Sequence, residues 1–229
     1  MHELLSSTAF WMCLSIVCYA CSIRLQQRFP SPLCNPLLLA SIMIGALLVG
    51  TGTTYQTYQG AGQMIVFFLT PATVALALPI FRKLDVLRAN LLPILIGALV
   101  GSVVSILSVI GFCRLFGLSD VLTLSLLPKS VTSPIAVALS DMLGGFPSVT
   151  AIAVVFTGIS GAVLLPSFLR ALGIRDPLQT GLAMGTASHA VGTARALEIG
   201  ETEGAMSGLA IGVAGLLTTV LLSLWTMVA

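Results

Sequence analysis

The sequence predicts an all-α polytopic membrane protein, with six plain transmembrane helices plus two broken or re-entrant helical segments in a single transmembrane domain over 1–229. Three observations lead there. The 229 residues are 57% hydrophobic and only 8% charged, against about 25% charged in ordinary soluble domains. With a mean hydropathy of +1.07, the chain cannot cover itself in water, so lipid is the expected solvent. Apolar runs recur at close to the roughly 20 residues that one crossing needs. Two of the runs, 119–145 and 177–200, are interrupted by proline or glycine and by polar side chains.

The first span runs from about Leu4 to Ile23. The start, Met1-His2-Glu3, lacks the positive charge of a secretory signal, so the segment is expected to be retained. The same lack argues against a lipoprotein cleavage site at Ala20-Cys21. A stiff turn, Pro30-Ser31-Pro32, leads to a short second span over 37–50. Residues 51–62 are polar and uncharged and predict a loop. A third span covers about 63–81, with Pro71 midway, and a fourth, glycine-rich one covers 89–113. The fifth and sixth plain spans are expected at 148–169 and 205–228, flanking the second broken segment.

Weak self-similarity accompanies this pattern. Val74-Ala75-Leu76-Ala77-Leu78 resembles Ile135-Ala136-Val137-Ala138-Leu139, and Ala194-Arg195-Ala196-Leu197 follows at a similar distance. Such periods suggest duplicated units and an inverted repeat. The stretch Gly97-Ala98-Leu99-Val100-Gly101 permits close helix contact, and a homodimer is expected.

Cations set the orientation. Re-entrant broken segments place Arg24, Arg28, Arg82, Lys83, Arg88, Arg170 and Arg175 in the cytoplasm and leave Arg114 outside. A full crossing by 119–145 would move Arg170 and Arg175 outside. Charge bias therefore favours two hairpins dipping in from opposite faces of the cytoplasmic membrane. A net charge of +2 without a basic cluster excludes nucleic acid as a partner. The five cysteines show no metal-ligand spacing and read as small hydrophobes, and no metal or cofactor is implied.

The chemistry is expected in the broken segments, because unwound backbone at membrane depth must be buried in protein or line a wet cavity. In the first, Pro128 and Pro134 bracket Lys129, Ser130, Thr132 and Ser133. A lysine near mid-bilayer costs about 2.5–3.5 kcal/mol on insertion scales. The functional reading is an anion site built from Lys129, the hydroxyls and the positive end of the helix that restarts there. The plain reading is a lysine paired with a buried carboxylate or snorkelling to the interface.

In the second, Gly185 and Gly192 bracket Thr186, Ser188 and His189, with Thr193 and Arg195 beyond. Arg195 could grip a carboxylate in two prongs or pair with Glu198 at i,i+3. His189 could carry a proton or serve as a structural donor. Enzyme motifs are absent: the chain has no His-Glu-x-x-His helix, no Gly-x-Ser-x-Gly elbow and no phosphate loop. A Lys129-Ser130 dyad would place adjacent side chains about 100° apart on a helix. The chain is therefore expected not to be an enzyme.

The runs Leu127-Pro128-Lys129-Ser130-Val131-Thr132-Ser133-Pro134-Ile135-Ala136 and Ser188-His189-Ala190-Val191-Gly192-Thr193-Ala194-Arg195-Ala196-Leu197-Glu198-Ile199-Gly200 resemble the LrgB/CidB family. That family includes antiholin-like bacterial membrane proteins and the C-terminal half of the plastid glycolate/glycerate translocator. Its length and hydropathy match nearly the whole chain. The resemblance implies either of two roles. One is transport of small organic anions of the pyruvate, glycolate and glycerate class. The other is antiholin-like regulation of murein hydrolase activity and autolysis, without transport of its own. It also implies a small LrgA/CidA-like membrane partner. The residues favour transport, since a lysis regulator has no evident need for a buried lysine between prolines.

Overall fold

A computed structural model describes residues 7–29, 34, 36–68, 71, 74–75 and 77–228. Among these the regular structure is helical, and no strand occurs. The turn Pro30-Ser31-Pro32, the start of the first expected span, and residues 69, 70, 72, 73 and 76 of the third lie outside the described residues. The chain divides into two compact units, Met1–Ala75 and Leu76–Ala229.

The first unit holds α1 (Thr8–Arg28), α2 (Pro36–Thr51) and α3 (Tyr55–Phe67). α1 is long and apolar enough to cross a membrane, and α2 is a shorter apolar helix. Trp11 on α1, fully buried, packs edge-on against Tyr58 of α3, and Ser15 and Tyr58 share a hydrogen bond of 3.2 Å. α3 corrects the expected loop over 51–62. The Thr54 side chain accepts from the Thr57 amide and so starts a helix there, supplying one of the donors that a helix start leaves open. That helix ends at Phe67, inside the expected third span.

The second unit begins with two short helices, α4 (Ala77–Arg82) and α5 (Leu84–Ala89), followed by α6 (Leu91–Leu115). Next come α7 (Asp120–Leu126) and α8 (Ser133–Met142), then α9 (Pro147–Ala171), α10 (Pro177–Ile199) and α11 (Glu201–Val228). α6, α9 and α11 are each long and apolar enough to cross a membrane, at the places expected for the fourth, fifth and sixth plain spans.

The first broken segment folds back on itself. α7 ends at Leu126, the chain turns through 127–132, and α8 returns so that Ser125 and Ser140 meet at the base. Thr150, at the start of α9, seals that base. Its hydroxyl donates to the Ser125 carbonyl at 2.7 Å and lies 2.7 Å from the Ser140 hydroxyl. The Phe146 amide donates to the Ser125 hydroxyl, also at 2.7 Å. These bonds satisfy polar atoms that lipid could not.

The second broken segment, α10, also doubles back, and the reversal lies at His189, whose φ of 42° and ψ of −136° are not helical. Eight residues of straight helix would carry Gly192 about 12 Å beyond Met184. Instead, a Cβ placed on Gly192 would lie 2.5 Å from the Met184 carbonyl oxygen. The inbound limb is therefore 177–188 and the return limb 190–199. Glycines make the tight packing possible. Gly181 and Gly185 of the inbound limb meet the backbone of Glu203 and Ser207 on α11, and Gly204 meets Leu197 of the return limb. Gly200 ends the return limb and α11 starts at the next residue.

Candidate functional site

The two hairpins approach α6 from its opposite ends. Leu182 and Thr186 of the second hairpin pack on Gly97 and Gly101, so the inbound limb runs parallel to α6. The first hairpin starts from the far end of α6. Its Leu139 shares a buried cluster with Cys113, and Ser130 at its tip lies 2.9 Å from the Ser105 hydroxyl. Gly101 and Ser105 are one helical turn apart, about 6 Å along the axis, and they flank the middle of α6. Both tips thus end at the same depth.

At the first tip, the Lys129 ammonium donates to the Ser130 hydroxyl at 3.2 Å. Among the described residues, the ion pairs join only Arg82 and Lys83 to Glu201, and Arg195 to Glu198. Lys129 therefore has no carboxylate partner there. Thr132 stands at the N-cap position of α8 without a side-chain capping bond, and Pro134 occupies the first turn, a position where proline's missing donor costs nothing. The positive end of α8 faces the tip, since helix dipoles point to their N-termini. Ser133 is exposed.

At the second tip, Ser188 and His189 are buried. The His189 ring sits over Gly158 of α9, where any side chain would strike it, and Ser188 meets Gly161 one turn on. His189 Nε2 lies 2.9 Å from the Val154 carbonyl oxygen. A carbonyl only accepts, so Nε2 carries the hydrogen and Nδ1 remains available. Val154 also belongs to the buried cluster that contains Leu127 and Val131, the residues flanking the Lys129 turn. Lys129 lies within electrostatic range of His189.

Three buried hydroxyls in this region have no hydrogen-bond partner among the described residues: Ser102 on α6, and Thr186 and Ser188 on the inbound limb. An unmade bond of this kind costs about 1–3 kcal/mol, so such groups call for a partner. The arrangement offers a cation, one or two helix N-termini and open donors, which is the equipment for holding a small anion out of water.

Lys129, Ser130, Thr186, Ser188 and His189 are thus gathered at the meeting of the tips. Thr193 is placed otherwise. Its hydroxyl is spent on the hairpin backbone and on α11, 3.1 Å from the His189 carbonyl and 2.7 Å from the Ser207 hydroxyl. Arg195 lies further down the return limb, paired with Glu198 at 2.6 Å. Its i,i+3 pairing, rather than a grip at the tip, is what the fold uses. Ser102 and Ser105 were missed by a reading confined to the broken segments. Their spacing, with Ser108, puts a polar stripe on an otherwise apolar span. No group of three or more His, Cys, Asp or Glu side chains gathers as a metal site among the described residues.

Comparison with known proteins now decides the family. The profile of the LrgB-like family matches residues 15–228. This chain belongs to the LrgB-like family. Its relatives include the uncharacterized protein YxaC of Bacillus subtilis (strain 168), 40% identical over 86% of each chain. Antiholin-like protein LrgB of Bacillus cereus (strain B4264) is 33% identical over 94% of each chain, and the Bacillus anthracis (strain CDC 684 / NRRL 3495) protein of that name matches equally. No solved structure matches. The chain is accordingly a multi-pass membrane protein of the LrgB type.

Proposed function

We propose that this LrgB-family protein is a carrier of small monocarboxylates or hydroxy acids, of the pyruvate, glycolate and glycerate class, in the cytoplasmic membrane. The observation that carries the reading is Lys129, a half-buried cation with no carboxylate partner among the described residues, at a hairpin tip beside the start of α8. Insertion scales put its cost at about 2.5–3.5 kcal/mol, and a bound carboxylate would offset it. Lys129 and Ser130 would hold one end of the anion. Thr186, Ser188 and the open Nδ1 of His189 would face the other end or a coupled proton, with Ser102 and Ser105 as added donors from α6. Thr132 and Ser133 would shape the mouth of the turn.

The test is uptake of labelled glycolate and pyruvate into proteoliposomes. Saturable uptake that vanishes in Lys129→Ala is expected. Flux that does not saturate would mean a pore, and uptake that survives the substitution would overturn the site.

A second reading has its own support in the name of the relatives, Antiholin-like protein LrgB. On that reading the chain regulates murein hydrolase activity and autolysis, together with an LrgA/CidA-like partner. Deletion would then alter autolysis and leave monocarboxylate flux unchanged. A homodimer fits either role, but it would need a face of α6 other than Gly97 and Gly101, which the second hairpin occupies.

A further inference from the structure

A separate cavity of about 450 Å³ opens at the base of the second hairpin, away from the tips. Its wall includes Leu169 and Arg170 from the end of α9, Ile174 and Arg175 from the connection to α10, Arg195 from the return limb and Glu203 from α11. Arg195 is already engaged by Glu198 at 2.6 Å. Arg170 uses only its Nε, which donates to the Pro166 carbonyl at 3.1 Å. This leaves its terminal nitrogens open, and Arg175 makes neither a hydrogen bond nor an ion pair among the described residues. Two uncommitted guanidiniums therefore line the cavity together with Arg195 and a single carboxylate, Glu203.

The cavity also adjoins an exposed apolar surface. The same turns of α9 and its C-cap carry Phe168 and Leu172, 58% and 59% exposed, at the end of a helix long and apolar enough to cross a membrane. A fork of guanidinium donors matches phosphate oxygens two at a time, and basic pockets between helices at the cytoplasmic boundary suit phosphate head groups. Monocarboxylates lack both the charge and the apolar body to fill this space.

We propose that the cavity binds the phosphate of an anionic amphiphile, with Arg170 and Arg175 on the phosphate and Leu169 and Ile174 against the attached chain. The site is independent of the carrier reading. Its occupant would also touch the return limb through Arg195, and so would steady the hairpin that carries His189.

The experiment is thermal unfolding of the full chain in detergent micelles with added phosphatidylglycerol, phosphatidylcholine or inorganic phosphate. Phosphatidylglycerol should raise the melting temperature by several degrees over phosphatidylcholine. Arg170→Gln and Arg175→Gln should each remove half or more of that increment, whereas Arg88→Gln and Lys129→Ala should keep it. Arg175 lies in an exposed connection, so its variant tests the site even if Arg170→Gln folds poorly. A shift reproduced by inorganic phosphate alone, and lost in the arginine variants, would support the site with a soluble phosphate as occupant. Equal melting in both lipids without a phosphate effect, or an increment untouched by Arg175→Gln, would overturn it.

Discussion

His189 Nε2 and the Val154 carbonyl oxygen lie 2.9 Å apart, which ties the reversal point of the second hairpin to the first half of α9. Two demands meet at that histidine. Its backbone adopts φ 42°, ψ −136°, a region open to glycine and strained for other residues by about 1–3 kcal/mol. Its ring supplies the bond that holds the strained turn in place.

These demands can be separated by substitution. His189→Ala loses the bond and keeps the backbone strain, whereas His189→Gly loses the bond and relieves the strain. The glycine variant should be the more stable by about 1 kcal/mol, read as a higher melting temperature in detergent. An alanine variant as stable as the glycine variant would mean that the turn relaxes to ordinary backbone without the imidazole.

The glycines of the hairpin make the opposite prediction. A methyl group on Gly192 would strike the Met184 carbonyl oxygen, which is backbone and cannot swing aside. Gly192→Ala should therefore destabilise the fold by 2 kcal/mol or more, on the order of a severe overpacking cost. Gly111, on α6, has nothing within 4 Å of the same added atom, so Gly111→Ala should be neutral or gain up to about 1 kcal/mol from helix propensity. Melting of the two variants side by side checks the reversal, because a straight α10 would make them alike.

Much of this was legible in the sequence for physical reasons. Pro128 and Pro134 remove amide donors, so a break near 128–134 was forced. Cation distribution, not periodicity, indicated that the segments double back. The exact reversal point was not readable, because Gly185 and Gly192 only bracket the broken stretch. The residue that turns is His189, chosen by a carbonyl thirty-five positions away. Arg195 looked equally suited to a substrate or to Glu198, and only the fold distinguishes them. The loop expected over 51–62 failed at Thr54, whose capping role outweighed a polar, glycine-containing composition.

At the base of the first hairpin, Thr150 is fully buried and its hydroxyl joins α7, α8 and α9. Thr150→Val keeps the shape and removes the hydroxyl, leaving the Ser125 carbonyl and the Ser140 hydroxyl short of a partner. The expected loss is about 1–3 kcal/mol, measured by thermal unfolding. If melting is unchanged, water must reach the base, and the hairpin would then be sealed by packing rather than by these bonds.

Lys129 offers the sharpest separation of stability from function. A residue kept for folding lowers stability when it is replaced, whereas a residue kept for a ligand often raises it, because the unliganded protein bears its cost. Lys129 donates to Ser130 alone and has no carboxylate partner among the described residues. Lys129→Met retains the length and apolar stem of the side chain and removes the charge. The variant should melt at the same temperature as the parent or higher, while glycolate and pyruvate uptake falls at least tenfold. A drop in melting temperature together with uptake would assign the ammonium to the fold. Unchanged uptake with raised stability would leave the lysine with no role in transport, and the antiholin-like reading would then have the stronger claim.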